Sequence, residues 1–326
     1  MQATRVEITR QGGPEVIEFV TADIGEPGAG EVLVEHGAVG LNFLDTYHRG
    51  GLYPVPMPSG LGVEAAGTII ALGEGVTDFS VGDRVAYMGP GLGAYATHRI
   101  MPASALYAVP DAISDETAAA AILKAATVEC LVERCAKVQA GDTVLVHAAA
   151  GGVGQIMVQW LKALDATVIG TVSNEAKAAL AREAGCDHII RYDHEDIAKR
   201  VREITGGPGV PTVFDGVGKD TFMASLDSLS PRGLLVSFGN ASGAVEGVNL
   251  GLLATKGSQF VTRPTLFHYY ATPEESAAGM ARVWDMIASG NVKVSVGQTY
   301  PLSEAAQAHR DLEARLTTGS TVLLPR

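Results

Sequence analysis

From Val153 onward, apolar side chains recur at Ile156, Met157, Trp160, Leu161 and Leu164. These positions fall at i, i+3, i+4, i+7, i+8 and i+11, which is one face of a helix. Just before them, the apolar run Thr143–Val146 has the length and composition of a buried parallel strand. A glycine-bearing turn, Ala149-Ala150-Gly151-Gly152-Val153-Gly154, joins the two. Strand, glycine turn and helix together form the first half of a dinucleotide-binding unit. Glycines there let backbone approach a pyrophosphate, and the helix N-terminus offers free N–H groups. The first glycine of the usual fingerprint is replaced by Ala149.

On the N-terminal side the pattern is of short strands, expected at residues 5–9, 16–21, 31–39, 67–72, 83–87, 94–100 and 105–109. Glycine and proline punctuate them, which predicts a small barrel-like β domain. A long connection is expected over 42–62, and connections of that length are usually functional. A helix follows from the N-cap Ser114 to about Val138. Beyond the glycine turn, strands (167–171, 188–190, 212–215, 234–238, 259–262) alternate with helices (175–183, 196–204, 220–229). That alternation predicts a parallel sheet covered on both faces. Two further helices, 273–289 and 303–315 with Ser303 as N-cap, precede a last strand at 320–324.

The chain has 326 residues, enough for about two domains. With 47% hydrophobic and 18% charged residues a sizeable core can form and disorder is not expected. The net charge of −12 and the absence of a basic tract argue against a nucleic-acid surface. The three cysteines, Cys130, Cys135 and Cys186, share no metal-ligand spacing and read as reduced thiols. The N-terminus lacks the apolar core of a signal peptide, and no apolar run can span a bilayer. A cytoplasmic protein without membrane or nucleic-acid partners is expected.

Several motifs together resemble the zinc-independent quinone oxidoreductase branch of the medium-chain dehydrogenase/reductase family. They are Asn42-Phe43-Leu44-Asp45-Thr46-Tyr47, the stretch from Pro58 through Gly62-Val63-Glu64 to Gly67, His147 to Gly154, Phe238 to Gly243, and Val261-Thr262-Arg263-Pro264. The resemblance implies an α/β chain: a GroES-like β-rich catalytic domain with an inserted Rossmann domain. The expected boundaries are 1–125 and 265–326 for the catalytic domain and 126–264 for the cofactor-binding domain. It also implies a homodimer, here expected through the sheet edge at 259–262, and hydride transfer from a nicotinamide cofactor to quinones or related conjugated carbonyls. Metal-bearing relatives hold zinc through cysteine and histidine. Here the segment 42–47 has no cysteine and Val63 stands where the histidine would be, so no metal is expected. His36, His48 and His98 are read as surface or turn residues.

The resemblance places Asn42 and Tyr47 at the cleft. There they can hydrogen-bond the nicotinamide ribose or the substrate oxygen; the alternative is that Asn42 closes a turn and Tyr47 packs. It places Thr127 near the nicotinamide and Arg315 against the cofactor. Asp45 is read as structural, and Glu129 and Cys130 depart from the aromatic pair of close relatives. Gly151, Gly152 and Val153 form the pyrophosphate turn. Phe238, Gly239, Asn240 and Ser242 follow a late strand, at the end where such sheets bind ligands. Arg263-Pro264 is a hinge or a dimer contact. Ser173 stands about 20 residues past the glycine turn, where an acid would mark NAD preference. With Lys177 and Tyr192 it points to NADPH. Ser173 is also read as the N-cap of its helix, with Glu175 as a complication because its carboxylate would repel a phosphate. The expected activity is NADPH-dependent, metal-free quinone reduction. The alternatives are reduction of 2-alkenals, enones or enoyl thioesters, and a non-catalytic NADPH-binding or structural role.

Overall fold

A computed structural model of the chain describes residues 1–89 and 91–325. It divides into two compact units, Met1–Lys124 with Val294–Arg326, and Ala125–Lys293.

The second unit is built on a six-stranded sheet whose strands all pair in parallel. Along the chain the strands are Thr143–Val146, Thr167–Val172, His188–Arg191, Val210–Asp215, Leu229–Ser237 and Phe260–Thr262. Numbered in that sequence, their spatial order is 3-2-1-4-5-6, the doubly wound order with its switch point between strands 1 and 4. Leu145, Ile169, Ile190, Val213 and Leu235 are fully buried along its strands. The helix Gly152–Ala163 buries its expected face, Ile156, Met157, Trp160 and Leu161, but Gln155 and Val158 are buried as well. Trp160 completes its packing with a hydrogen bond from Nε1 to Glu133 Oε1 at 2.9 Å, and the Arg282 guanidinium lies 5.6 Å from its ring.

Two expectations shift in this unit. The helix expected to run to Val138 is α-helical only over Asp115–Glu129; a π-helical turn, Cys130–Ala136, follows and ends at Lys137 with φ 54°. The division from the other unit falls at Lys293 rather than at residue 264. Helix Pro273–Ala288, expected with the returning tail, is tied to the second unit by Arg282, which pairs with Glu133 at 3.0 Å. Such long-range pairing leaves no periodic signal in the sequence.

The first unit carries a seven-stranded sheet. The chain's last strand, Ser320–Leu324, lies antiparallel to Glu31–Leu41, with Val322 opposite Gly40, so the tail does return to the first unit. Val296–Pro301, a strand the pattern did not predict, pairs parallel to Ser320–Leu324. The connection expected over 42–62 contains a helix, Phe43–Gly50. It starts at Asn42, whose backbone N–H donates to Asp45 Oδ2 at 2.8 Å, and stops at Gly51 with φ 87°. Only local capping marks it. Helix Ala305–Glu313 is preceded by Glu304 at the N-cap, not Ser303, which sits inside the 3-10 turn Leu302–Glu304. Among the described residues no helix is long and apolar enough to cross a membrane.

Candidate functional site

In the second unit the glycine turn is pinned between two strands. The His147 backbone N–H donates to Phe214 O at 3.0 Å, and that of Ala149 donates to Thr171 O at 3.1 Å. Ala148 takes the left-handed backbone, φ 52°, and Ala149 does not, which is why an alanine is tolerated at the first fingerprint position. The Ala149 methyl occupies space left by Gly170, whose own Cβ would lie 2.8 Å from it. The strictest requirement falls on Gly154. A Cβ there would sit 2.2 Å from Ala148 O and 2.8 Å from Ala149 Cα. Gly151 is the N-cap of the helix and Gly152 and Val153 open it, half-buried.

Beneath this turn lies a buried polar network that the sequence reading missed. His147 Nε2 is 3.0 Å from Ser225 Oγ, and that hydroxyl donates to Asp215 Oδ2 at 2.7 Å. Nε2 therefore carries the proton, and Nδ1 accepts from Thr171 Oγ1 at 3.0 Å. Burial holds the His147 pKa below its ordinary value. Asp215 Oδ1 accepts from the N–H groups of Val217 and Gly218 at 2.9 and 3.0 Å. One network thus ties together the loops after strands 1 and 4, the pair that flank the switch point.

Ser173 and Tyr192 follow neighbouring strands, Thr167–Val172 and His188–Arg191, and Tyr192 donates its N–H to Val172 O at 3.2 Å. Tyr192 is exposed; Ser173 and Lys177 are half-buried. The N-cap of helix Glu175–Glu183 is Asn174, not Ser173: Asn174 Oδ1 accepts from Lys177 N at 2.9 Å. Glu175, read from the sequence as a complication, carries an exposed carboxylate with two cationic partners. Its carboxylate is held by Arg182 at 2.7 Å and Arg191 at 3.3 Å, which keep its pKa below the ordinary value.

Phe238, Gly239, Asn240 and Ser242 lie in the loop after strand Leu229–Ser237. The Ser242 hydroxyl is committed to shaping it, donating to Val217 O at 2.9 Å and accepting from Asp220 N at 3.0 Å. Arg263 also buttresses this loop, reaching Ser237 Oγ at 3.1 Å and Gly239 O at 2.9 Å. Thr127 is half-buried on helix Asp115–Glu129. Glu129, beyond it, is buried between Arg134 at 2.8 Å and the Tyr270 hydroxyl at 3.0 Å.

In the first unit Asn42 caps the helix Phe43–Gly50 that carries Tyr47, and both residues are half-buried. The Tyr47 ring meets Tyr53 edge-on at 5.4 Å and Phe43 at 6.4 Å. Asn42 Nδ2 donates to the buried Glu64 at 2.6 Å. Asp45 Oδ2 accepts from Tyr95 OH at 3.0 Å; the Tyr95 oxygen lies 3.0 Å from His309 Nε2, and His309 Nδ1 faces Arg49 at 2.7 Å. Burial raises the Asp45 pKa to about 7 and lowers that of His309 to about 3, with Arg49 adding to the second shift. Arg315 lies on the exposed turn after helix Ala305–Glu313, with φ 60°.

His36 is not a surface residue. It is buried, with Nδ1 2.7 Å from Ala96 O and Nε2 3.0 Å from Tyr87 OH. His48 and His98 are half-buried. Among the described residues no three His, Cys, Asp or Glu side chains converge to hold a metal ion.

Comparison with known proteins matches residues 28–111 to the alcohol dehydrogenase GroES-like domain and 152–278 to the zinc-binding dehydrogenase domain. A quinone oxidoreductase of Pseudomonas aeruginosa is 52% identical over 99% of this chain and 100% of its own. A 2-haloacrylate reductase of Burkholderia is 46% identical over 98% of both chains. The crystal structure of Escherichia coli quinone oxidoreductase complexed with NADPH superposes with a TM-score of 0.96 at 49% identity, covering 99% of this chain and 100% of that one.

Proposed function

Because this chain belongs to the quinone oxidoreductase branch of the medium-chain dehydrogenase/reductase family, we propose that it is an NADPH-dependent quinone reductase that needs no metal. The observation that carries the cofactor choice is the end of strand Thr167–Val172. With the adjacent end of strand His188–Arg191 it offers Ser173, Lys177 and Tyr192, while Glu175 is paired with Arg182 and Arg191. The NADPH-bound relative supports the same choice. In this reading Gly151, Gly152 and Val153 receive the pyrophosphate. Ser173, Lys177 and Tyr192 hold the ribose phosphate, and Phe238, Gly239, Asn240, Asn42 and Thr127 hold the nicotinamide side. Ser242 shapes its loop, and Arg315 adds charge toward the cofactor. The second unit is the cofactor-binding domain and the first the catalytic domain.

Bound NADPH supplies a hydride; the chain's own residues position the reactants, which accounts for most of the acceleration. A hydroquinone anion takes its proton from water, so a dedicated acid is not required. The 2-haloacrylate reductase relative favours a second reading, reduction of a conjugated C=C bond. That reaction protonates carbon, and the Tyr47 hydroxyl is then the donor. The protein is further proposed to be a cytoplasmic homodimer. Strand Phe260–Thr262 is the open edge of its sheet, with Phe260 61% and Val261 39% exposed, and pairing across a two-fold axis would cover it.

The test is steady-state turnover with NADPH against quinones, 2-alkenals and haloacrylates, after exhaustive chelation. Quinone reduction that survives chelation is expected. Turnover of the C=C substrates alone would transfer the assignment to the second reading. No turnover, or stoichiometric zinc whose removal abolishes it, would overturn the proposal.

A further inference from the structure

Glu64 is fully buried, and the chain is built around its carboxylate. Lys124 Nζ, itself buried, lies 2.9 Å from Oε1, Leu123 N–H donates to Oε2 at 2.8 Å, and Asn42 Nδ2 donates to Oε1 at 2.6 Å. Gly40 makes the space, since a Cβ there would lie 2.2 Å from Oε1 and 2.4 Å from Ala119 O. A buried ion pair is a weak source of stability, because well-packed apolar residues of similar volume usually serve as well or better. Its geometry does something an apolar pair cannot. A carboxylate has only acceptors, so the Asn42 atom 2.6 Å away must be the amide nitrogen. The amide is thereby fixed with its oxygen on the far side, turned to the Asp45 backbone N–H in the capping box of its helix and keeping a second lone pair for a ligand.

We infer that Glu64 and Lys124 are positioning residues that set the polarity of the Asn42 amide, making Asn42 an acceptor for a hydroxyl or N–H of the bound nicotinamide nucleoside. This rests on the reading of Asn42 as a cofactor-binding residue. It assigns the substrate oxygen to some other donor.

The informative variant is Glu64→Gln with Lys124→Met. The introduced glutamine would keep its oxygen toward the fixed Leu123 N–H and turn its NH2 toward Asn42. The Asn42 amide would then either flip, giving up its capping contact with the Asp45 N–H and presenting NH2 to the ligand, or turn away from the introduced glutamine; both cost the ligand its aligned acceptor. With both charges removed together, neither is left buried without a partner. Equilibrium NADPH binding is measured by calorimetry on the purified double variant, on Asn42→Ala, and on the triple variant. The double variant should bind about tenfold more weakly, ~1.4 kcal/mol, and the triple variant no more weakly than Asn42→Ala. Full additivity of the losses, or a double variant with wild-type affinity while Asn42→Ala is impaired, would overturn the positioning role. Wild-type NADPH affinity in Asn42→Ala would instead overturn the site reading beneath it. If the double variant fails to fold, Glu64→Gln/Lys124→Gln provides the same cycle.

Discussion

Gly154→Ala adds one methyl where the structure leaves no room. The new Cβ would lie 2.2 Å from Ala148 O, 2.8 Å from Ala149 Cα and 2.9 Å from Ala149 C, all backbone atoms that cannot rotate away. Ordinary contacts need well over 3 Å, so helix Gly152–Ala163 and the turn must separate by about an ångström. The turn has little space to retreat, because the Ala149 methyl already fills the gap beside Gly170. Overpacking of this kind costs about 1–3 kcal/mol, against ~1 kcal/mol that alanine gains over glycine inside a helix. A net loss of up to about 2 kcal/mol is expected, or a Tm lower by up to roughly 8 °C. An ångström of displacement also moves the helix N-terminal N–H groups, so NADPH affinity should fall by about tenfold or more. Gly151→Ala is the stability control. Its Cβ would meet only Ala148 O, at 3.3 Å, and its φ of −78° suits any residue, so its Tm should be unchanged. Gly152→Val should leave the fold intact and weaken NADPH alone. Differential scanning calorimetry and cofactor titration on the three variants decide the matter. A Gly154→Ala protein with wild-type Tm and wild-type NADPH affinity would show that the turn is not the rigid cradle described.

Lys177→Ala should weaken NADPH by about 10- to 100-fold, since a hydrogen bond to a charged group is worth about 1.5–3 kcal/mol, and leave NADH nearly unaffected; kcat/KM for both cofactors checks this, and equal losses would move the phosphate pocket elsewhere. Burial raises the Asp45 pKa from 3.8 to about 7, so its contribution to stability is present below about pH 4 and lost as pH rises through 7. Asp45→Asn keeps an oxygen for Asn42 N–H and Tyr95 OH, so its Tm relative to wild type should improve between about pH 4 and pH 8, by up to ~4 kcal/mol of stability; a pH-independent difference would contradict the shift. Phe260→Glu puts a charge on the open sheet edge and should convert a dimer in light scattering to a 33.8 kDa monomer; a wild-type protein already monomeric at micromolar concentration would refute the edge-pairing proposal.

Much of the architecture was legible in the chain because it rests on local regularities. Helix Glu175–Glu183 and strand Ser320–Leu324 lie where the pattern puts them, and the alternation from Thr143 to Asp215 foretold a parallel sheet. The glycine turn was readable because so tight a strand–helix junction leaves no room for side chains, as at Gly154. Where signals were short, reading failed. Helix Phe43–Gly50 is marked only by its capping contacts, and Ser173 and Ser303 have the right chemistry for a cap, but neighbouring residues take the position. The functional reach of the site was decided by contacts between residues far apart in sequence. Glu64 and Lys124 are each a lone charge inside an apolar run and 60 residues apart; only the fold brings them within 2.9 Å and aims Glu64 at Asn42. His147, Ser225 and Asp215 meet only because strands 1 and 4 are neighbours in the sheet. Glu175 pairs with Arg182 on its own helix at 2.7 Å, but its second partner, Arg191 at 3.3 Å, comes from the next strand and is supplied only by the fold. Periodicity records which face of an element is buried; which polar groups share that burial is set by strand order and register, and a buried polar atom keeps its place only through partners that those supply.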